Sequence, residues 1–299
     1  MLKASLLPLL LLLNCSGPST ESVAATPPAK APAPVPETKP TADQYHWLPS
    51  GRYRAGQTVA ARFAPPAGYQ RVEVAAGSFG QWLRGLPLLP PGSSVKLYNG
   101  QRKDRQDVHT AVIDLDVGAR DLQQCADAVI RLRAEYLFSQ NPDQVHFHLT
   151  SGDDIGFKNW YSGTGFRVVG DAVQPASRPA EAPTHANFRR YLDQIFTYAG
   201  TLSLSRELQP TPLAQVQPGD VLIRGGSPGH AVLVLDVATQ PGTGRRLALL
   251  AQSYMPAQQM HVLRNDDSSL GAWFYLDPKQ ARVETPEWTF RSSELGRFE

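Results

Sequence analysis

The chain has 299 residues, with 29 Lys and Arg against 27 Asp and Glu, a net charge of +2 at pH 7. So even a balance leaves no electrostatic footprint for nucleic acid, a dense polyanion. An apolar fraction of 41% is enough for a sizeable core, and two cysteines, Cys15 and Cys125, exclude both a disulfide scaffold and a cysteine-rich zinc module.

Residues 1–15 read as an export signal. Lys3 supplies the positive start and residues 6–13 a leucine-rich run, which falls short of the roughly 20 apolar residues that a membrane-spanning helix needs. Residues 16–42 are mostly Pro, Ala, Thr, Ser, Glu and Lys, without apolar periodicity. Such a segment cannot bury enough surface to offset its chain entropy, and it reads as an extended, disordered tether. Residues 43–299 have a globular composition with no second linker and no internal repeat, and they predict one domain.

Within that domain, alternating apolar and polar residues predict strands over 58–63 and 70–75, followed by a short helix over 78–84. Strands are predicted over 108–115 and 145–149 from their β-branched and aromatic residues. Between them the spacing predicts a helix over 120–138, with Leu122, Cys125, Ala126, Val129, Ile130, Leu132 and Leu137 at helical intervals. The Pro-rich stretch 173–183 reads as a loop, and 185–198 as a helix with Phe188, Tyr191, Leu192, Ile195 and Phe196 on one face. Further strands are predicted over 220–223, 231–237, 247–251, 260–263 and 273–276. A cysteine-bearing helix ahead of clustered strands points to an α+β fold.

With Cys15 inside the segment read as an export signal, Cys125 is the thiol of the globular part. An exported protein works in an oxidising compartment, so an unpaired thiol invites a functional reading. Its place on the apolar stripe of its helix equally suits a buried, inert side chain. His230 opens a strand after the turn-rich Gly225-Gly226-Ser227-Pro228-Gly229. A strand end holds a side chain rigidly at the rim of a cleft, which suits a general base. His146 and His148 share a strand face, but no third ligand of suitable spacing follows, so no metal is assigned. Asp114 and Asp116 read as a strand end and the cap of the following helix rather than a glycosidase pair. Trp160 and Tyr161 in the aromatic-rich stretch 157–167, together with Tyr254, offer a groove for a sugar or peptide; the competing reading is core filling. No phosphate, nucleotide or haem motif is present, and no cofactor is expected.

Three resemblances add to this. Leu12-Leu13-Asn14-Cys15-Ser16 resembles the lipobox of bacterial lipoproteins, which implies lipidation of Cys15 and, with Ser16 next to it, a lipid anchor in the outer membrane facing the periplasm or the cell surface. Pro218-Gly219-Asp220-Val221-Leu222-Ile223 and Gly229-His230-Ala231-Val232-Leu233-Val234 resemble the signature of the NlpC/P60 and CHAP groups of papain-like cell-wall cysteine hydrolases. That resemblance implies a papain-like fold, with the cysteine helix packed on an antiparallel sheet. It also implies Cys125 as nucleophile, His230 as base and Gln252, on the following strand, as the residue that orients the imidazole. Over nearly the whole mature part, the stretches 45–49, 122–128, 131–136 and 251–258 are similar to an uncharacterised bacterial lipoprotein family, domain of unknown function 4846. The expectation is an envelope lipoprotein with cysteine hydrolase or transferase activity on amide bonds, its partner peptidoglycan or another envelope polymer. The alternative is a non-catalytic envelope lipoprotein that binds a cell-wall or sugar ligand in its aromatic groove.

Overall fold

The strand His230–Thr239 is buried along nearly its whole length, which is the signature of a strand covered on both faces. It runs through the middle of the computed structural model, which describes residues 41–299. On one side it pairs with Val221–Arg224, on the other with Arg246–Gln252. The sheet continues outward from Arg246–Gln252 through His261–Leu263 to His109–Val112, and from Val221–Arg224 through Leu295–Phe298 to Leu208–Pro210. Two short strands add to it: Gln70–Arg71 beside the far end of the central strand, and Trp273–Tyr275 beside Arg246–Gln252. Every one of these pairings is antiparallel.

Alternate side chains of a strand point to opposite faces, and the sheet has a core on each. Ala231, Leu233 and Leu235 face the larger core, together with Val129, Phe188, Tyr191 and Ile195 from the helices. Val232, Val234 and Val237 face a smaller core completed by Leu222, Leu250 and Phe290. The helix Cys125–Gln140 packs on the central strand from the larger-core side. The architecture is therefore α+β, a large antiparallel sheet with few helices. Among the described residues no helix is long and apolar enough to cross a membrane. The export signal, Cys15 and nearly all of the tether lie outside the described residues.

Several expected elements form differently. Residues 58–63 are not a strand: Thr58 caps a single helical turn, Val59–Arg62, by accepting the Ala61 N–H at 3.3 Å. A hydroxyl that satisfies an otherwise orphaned amide outweighs a short alternation pattern. Of 70–75 only Gln70–Arg71 finds a strand partner. The stretch read as a loop begins inside a hairpin, because Ala172–Ser177 pairs along its whole length with Thr164–Val169. The cysteine helix starts at Cys125 itself rather than near residue 120. Its cap is Gln124, whose N–H donates to Asp127 Oδ2 at 3.1 Å, so Asp114 and Asp116 cap nothing. They serve as ion-pair partners instead, Asp114 for Arg52 at 2.9 Å and Asp116 for Arg131 at 2.9 Å and Arg189 at 3.3 Å.

Candidate active site

Local chemistry sets the two ends of the site. Gln124 adopts an extended conformation and stops the helix at Cys125, so the thiol sits at the first helical position. Gln124 Nε2 donates to Asp121 Oδ1 at 3.0 Å, and the same oxygen accepts the Ala257 N–H at 2.6 Å, which fastens the segment before the cysteine. Behind the cysteine, Arg131 is fully buried and reaches Glu135 at 2.7 Å and Gln123 Oε1 at 3.0 Å. His185 Nε2 lies 2.9 Å from the same Glu135 carboxylate.

The histidine end is set by the hairpin. In the Pro-Gly-Asp turn, Asp220 is buried; it accepts the Gln217 N–H at 2.8 Å and Arg297 Nε at 2.6 Å, tying the turn to the last strand of the sheet. Gly229 has backbone on two sides: a Cβ there would meet the Gly226 carbonyl oxygen at 2.3 Å and that of Arg224 at 2.7 Å. Only glycine allows so close an approach. His230 then opens the strand opposite Arg224.

Ala251 pairs with Leu233, which places Gln252 diagonally across from His230 on the same face of the sheet. Gln252 Oε1 lies 2.8 Å from His230 Nε2. The Gln252 amide nitrogen donates to Glu287 Oε2 at 2.6 Å, and the other oxygen of Glu287 lies 2.8 Å from Lys103 Nζ. Tyr254 and Trp288 flank the imidazole, with ring centres 4.9 Å and 5.2 Å away. His230 shares its face with the smaller core, whereas Cys125 comes from a helix on the larger-core side. They come to one cavity at the end of the central strand, where backbone N–H groups of Ala126, Ala231 and Cys125 itself favour the thiolate. Cys125 and His230 line one cavity of about 540 Å³, together with Asp127, Tyr254, Trp288 and the backbone of the glycine-rich hairpin.

The electrostatics of the site favour uncharged groups. Burial, then the Asp127 carboxyl, push the Cys125 thiol up to about 11, against the opposing pull of the three N–H donors. Burial lowers His230 to about 4, with Lys103 adding to the fall and the Gln252 bond working against it. Asp127 is raised to about 8, again by burial, and its Oδ1 has no hydrogen-bond partner among the described residues. The resting pair at neutral pH is thus a neutral thiol and a neutral imidazole.

Trp160 and Tyr161 lie elsewhere. Trp160 Nε1 donates to Asn187 Oδ1 at 2.9 Å and its ring lies under the Arg178 guanidinium at 4.1 Å, while Tyr161 bonds Asp143. Neither is among the residues lining the cavity that holds Tyr254. Trp82 and Trp273 fill the larger core. His146 and His148 each face a carboxylate, Asp154 at 2.9 Å and Glu207 at 3.3 Å. Glu287, Lys103, Asp127 and Trp288 were not legible as site residues. Glu287 and Lys103 are 184 positions apart in sequence and carry no spacing signal. Asp127 alone had one, since an acidic residue three positions after a cap marks a helix start.

Among curated proteins and among solved structures, none matches the chain. The family model described as Domain of unknown function (4846) matches residues 59–297, which include the cysteine, the histidine and the glutamine of the site, and the chain belongs to that family.

Proposed function

We propose that this protein is a papain-like cysteine hydrolase or transferase that acts on amide bonds of cell-wall peptides, held by a lipidated Cys15 at the outer membrane. The observation that carries the reading is the convergence of Cys125, at a helix start, and His230 in one cavity, with Gln252 bonded to His230 behind it. A helix and two neighbouring strands supply a nucleophile, a base and an orienting group, the arrangement that thiol acyl transfer needs. The Pro-Gly-Asp and Gly-His-Ala-Val segments and the export signal point to the cell wall as the source of the amide.

Since the resting pair is neutral, the thiol loses its proton as it attacks. Sγ bonds to the amide carbon while His230 accepts the thiol proton. The oxyanion forms against backbone N–H groups at the helix start. The imidazolium then gives its proton to the leaving amine, the C–N bond breaks and a thioester remains. Water resolves that thioester in hydrolysis, and a second amine resolves it in transfer.

The deciding experiment is digestion of purified muropeptides by the full chain, read by mass spectrometry. Loss of an amide bond, abolished in Cys125→Ser and in His230→Ala, is the expected result. Muropeptides left intact by the wild type would remove the hydrolase reading in favour of binding alone. That alternative has less support, because Trp160 and Tyr161 lie apart from Tyr254 and do not extend an aromatic groove from the cavity.

A further inference from the structure

Gln252 is fully buried, and its amide has two different partners. Its oxygen lies 2.8 Å from His230 Nε2, and its nitrogen lies 2.6 Å from Glu287 Oε2. A carboxylate can only accept, so it selects the NH₂ end of the amide. Turned by 180°, the amide would set two oxygens against one another and leave the NH₂ group facing the ring. The buried ammonium of Lys103, 2.8 Å from the other Glu287 oxygen, matches the charge of the carboxylate. Lys103 is buried and the Glu287 side chain is 9% exposed, so water cannot readily take their place.

We propose that Glu287 is a positioning residue that sets the tautomer of His230. By accepting from Gln252 Nε2 it presents the amide oxygen to His230 Nε2, which must then carry the hydrogen. Nδ1 is left with its lone pair, as the nitrogen able to accept the thiol proton. The purpose of this relay rests on the functional reading above; the relay itself does not. Lys103 and Glu287 come from segments far from both the cysteine helix and the histidine hairpin. The base is therefore set by a loop before the helix and by the turn of a hairpin, Arg282–Glu284 with Thr289–Arg291.

The test is the two-bond ¹⁵N–¹H spectrum of the full chain labelled at histidine, recorded at pH 7, with His230→Ala identifying the resonance. The wild type is expected to show His230 hydrogenated at Nε2 alone. Glu287→Ala, combined with Lys103→Met to remove the orphaned ammonium, frees the amide to turn, and Nδ1-hydrogenated ring should appear. Glu287→Gln keeps an acceptor oxygen for Gln252 and should retain the wild-type tautomer. A wild-type ring hydrogenated at Nδ1, readable even if no variant folds, overturns the proposal. So does a tautomer unchanged in the double variant. Muropeptide cleavage measured in parallel should fall by about a hundredfold in the double variant, the low end of what a correctly placed base contributes. A shifted tautomer in a protein whose wild type cleaves nothing upholds the relay and overturns the hydrolase reading. Cleavage retained with an unchanged tautomer overturns the relay alone.

Discussion

Cys125, the first residue of its helix, and His230, the first residue of the central strand, line one cavity. The helix packs on the very strand that His230 opens. The pairing is reached from opposite faces of the sheet. It depends on the helix beginning at Cys125 and on the strand beginning at His230.

Alkylation of Cys125 by iodoacetamide should be slow at neutral pH and should rise log-linearly up to about pH 10. With the thiol near 11 and an ordinary cysteine near 8.5, the thiolate fraction at pH 7 is smaller by roughly three hundredfold. The helix start and the three N–H donors favour the anion, but burial and Asp127 outweigh them. A rate that levels off near pH 7 would show a preformed thiolate–imidazolium pair.

Asp127→Asn should stabilise the protein, and by more as pH rises from 4 to 8. The unfolded carboxyl releases its proton near 3.8 and the folded one near 8, so folding takes up a proton between those values. Wild-type stability therefore falls as pH rises through that window, and the contribution is flat above it. Asparagine, which carries no such proton, still accepts the Gln124 N–H. Urea unfolding at pH 5, 7 and 9 should show the gap widening on the order of 1 kcal/mol per pH unit and then holding constant.

Gly229→Ala should cost about 1–3 kcal/mol, the range for overpacking a filled site. Two of the three nearest atoms are backbone oxygens and the third is Thr201 Oγ1 at 2.4 Å, so the hairpin itself must shift. Since His230 follows directly, muropeptide cleavage should fall with the urea midpoint. An unchanged midpoint would mean that the hairpin yields freely.

Arg131→Met should destabilise by about 3–5 kcal/mol, because Glu135 is left fully buried with His185 as its one remaining ion-pair partner among the described residues. Adding Glu135→Leu removes the stranded charge and should recover much of the loss. A double-mutant cycle in urea measures the coupling. Additive effects would show that the two side chains act independently.

Cys15→Ser should move the full chain from the membrane fraction to the soluble fraction or leave it unprocessed. Fractionation and mass spectrometry of the mature terminus check this. A correctly processed variant that stays at the membrane in wild-type amount would exclude the lipid anchor.

Patterns short enough to be local were legible in the sequence. Apolar spacing places the helix His185–Tyr198 at its observed bounds. Turn chemistry places Val221–Arg224 and His230–Thr239 on either side of the glycine hairpin. Cys125, His230 and Gln252 were named through the resemblance to papain-like cysteine hydrolases, whereas the start of the helix at Cys125 itself was not legible. Other features are settled by partners distant in the chain. Residues 58–63 become a helical turn through a hydroxyl cap, and 172–177 become a strand because Thr164–Val169 lies alongside. The protonation states are the clearest case. A cysteine at a helix start reads as an activated thiol, yet its acidity depends on what covers it. Here the fold buries the thiol and sets Asp127 beside it, while Lys103 and Glu287, 184 positions apart, close behind the glutamine. Dielectric surroundings and distant charges act through space, and no spacing of residues encodes them.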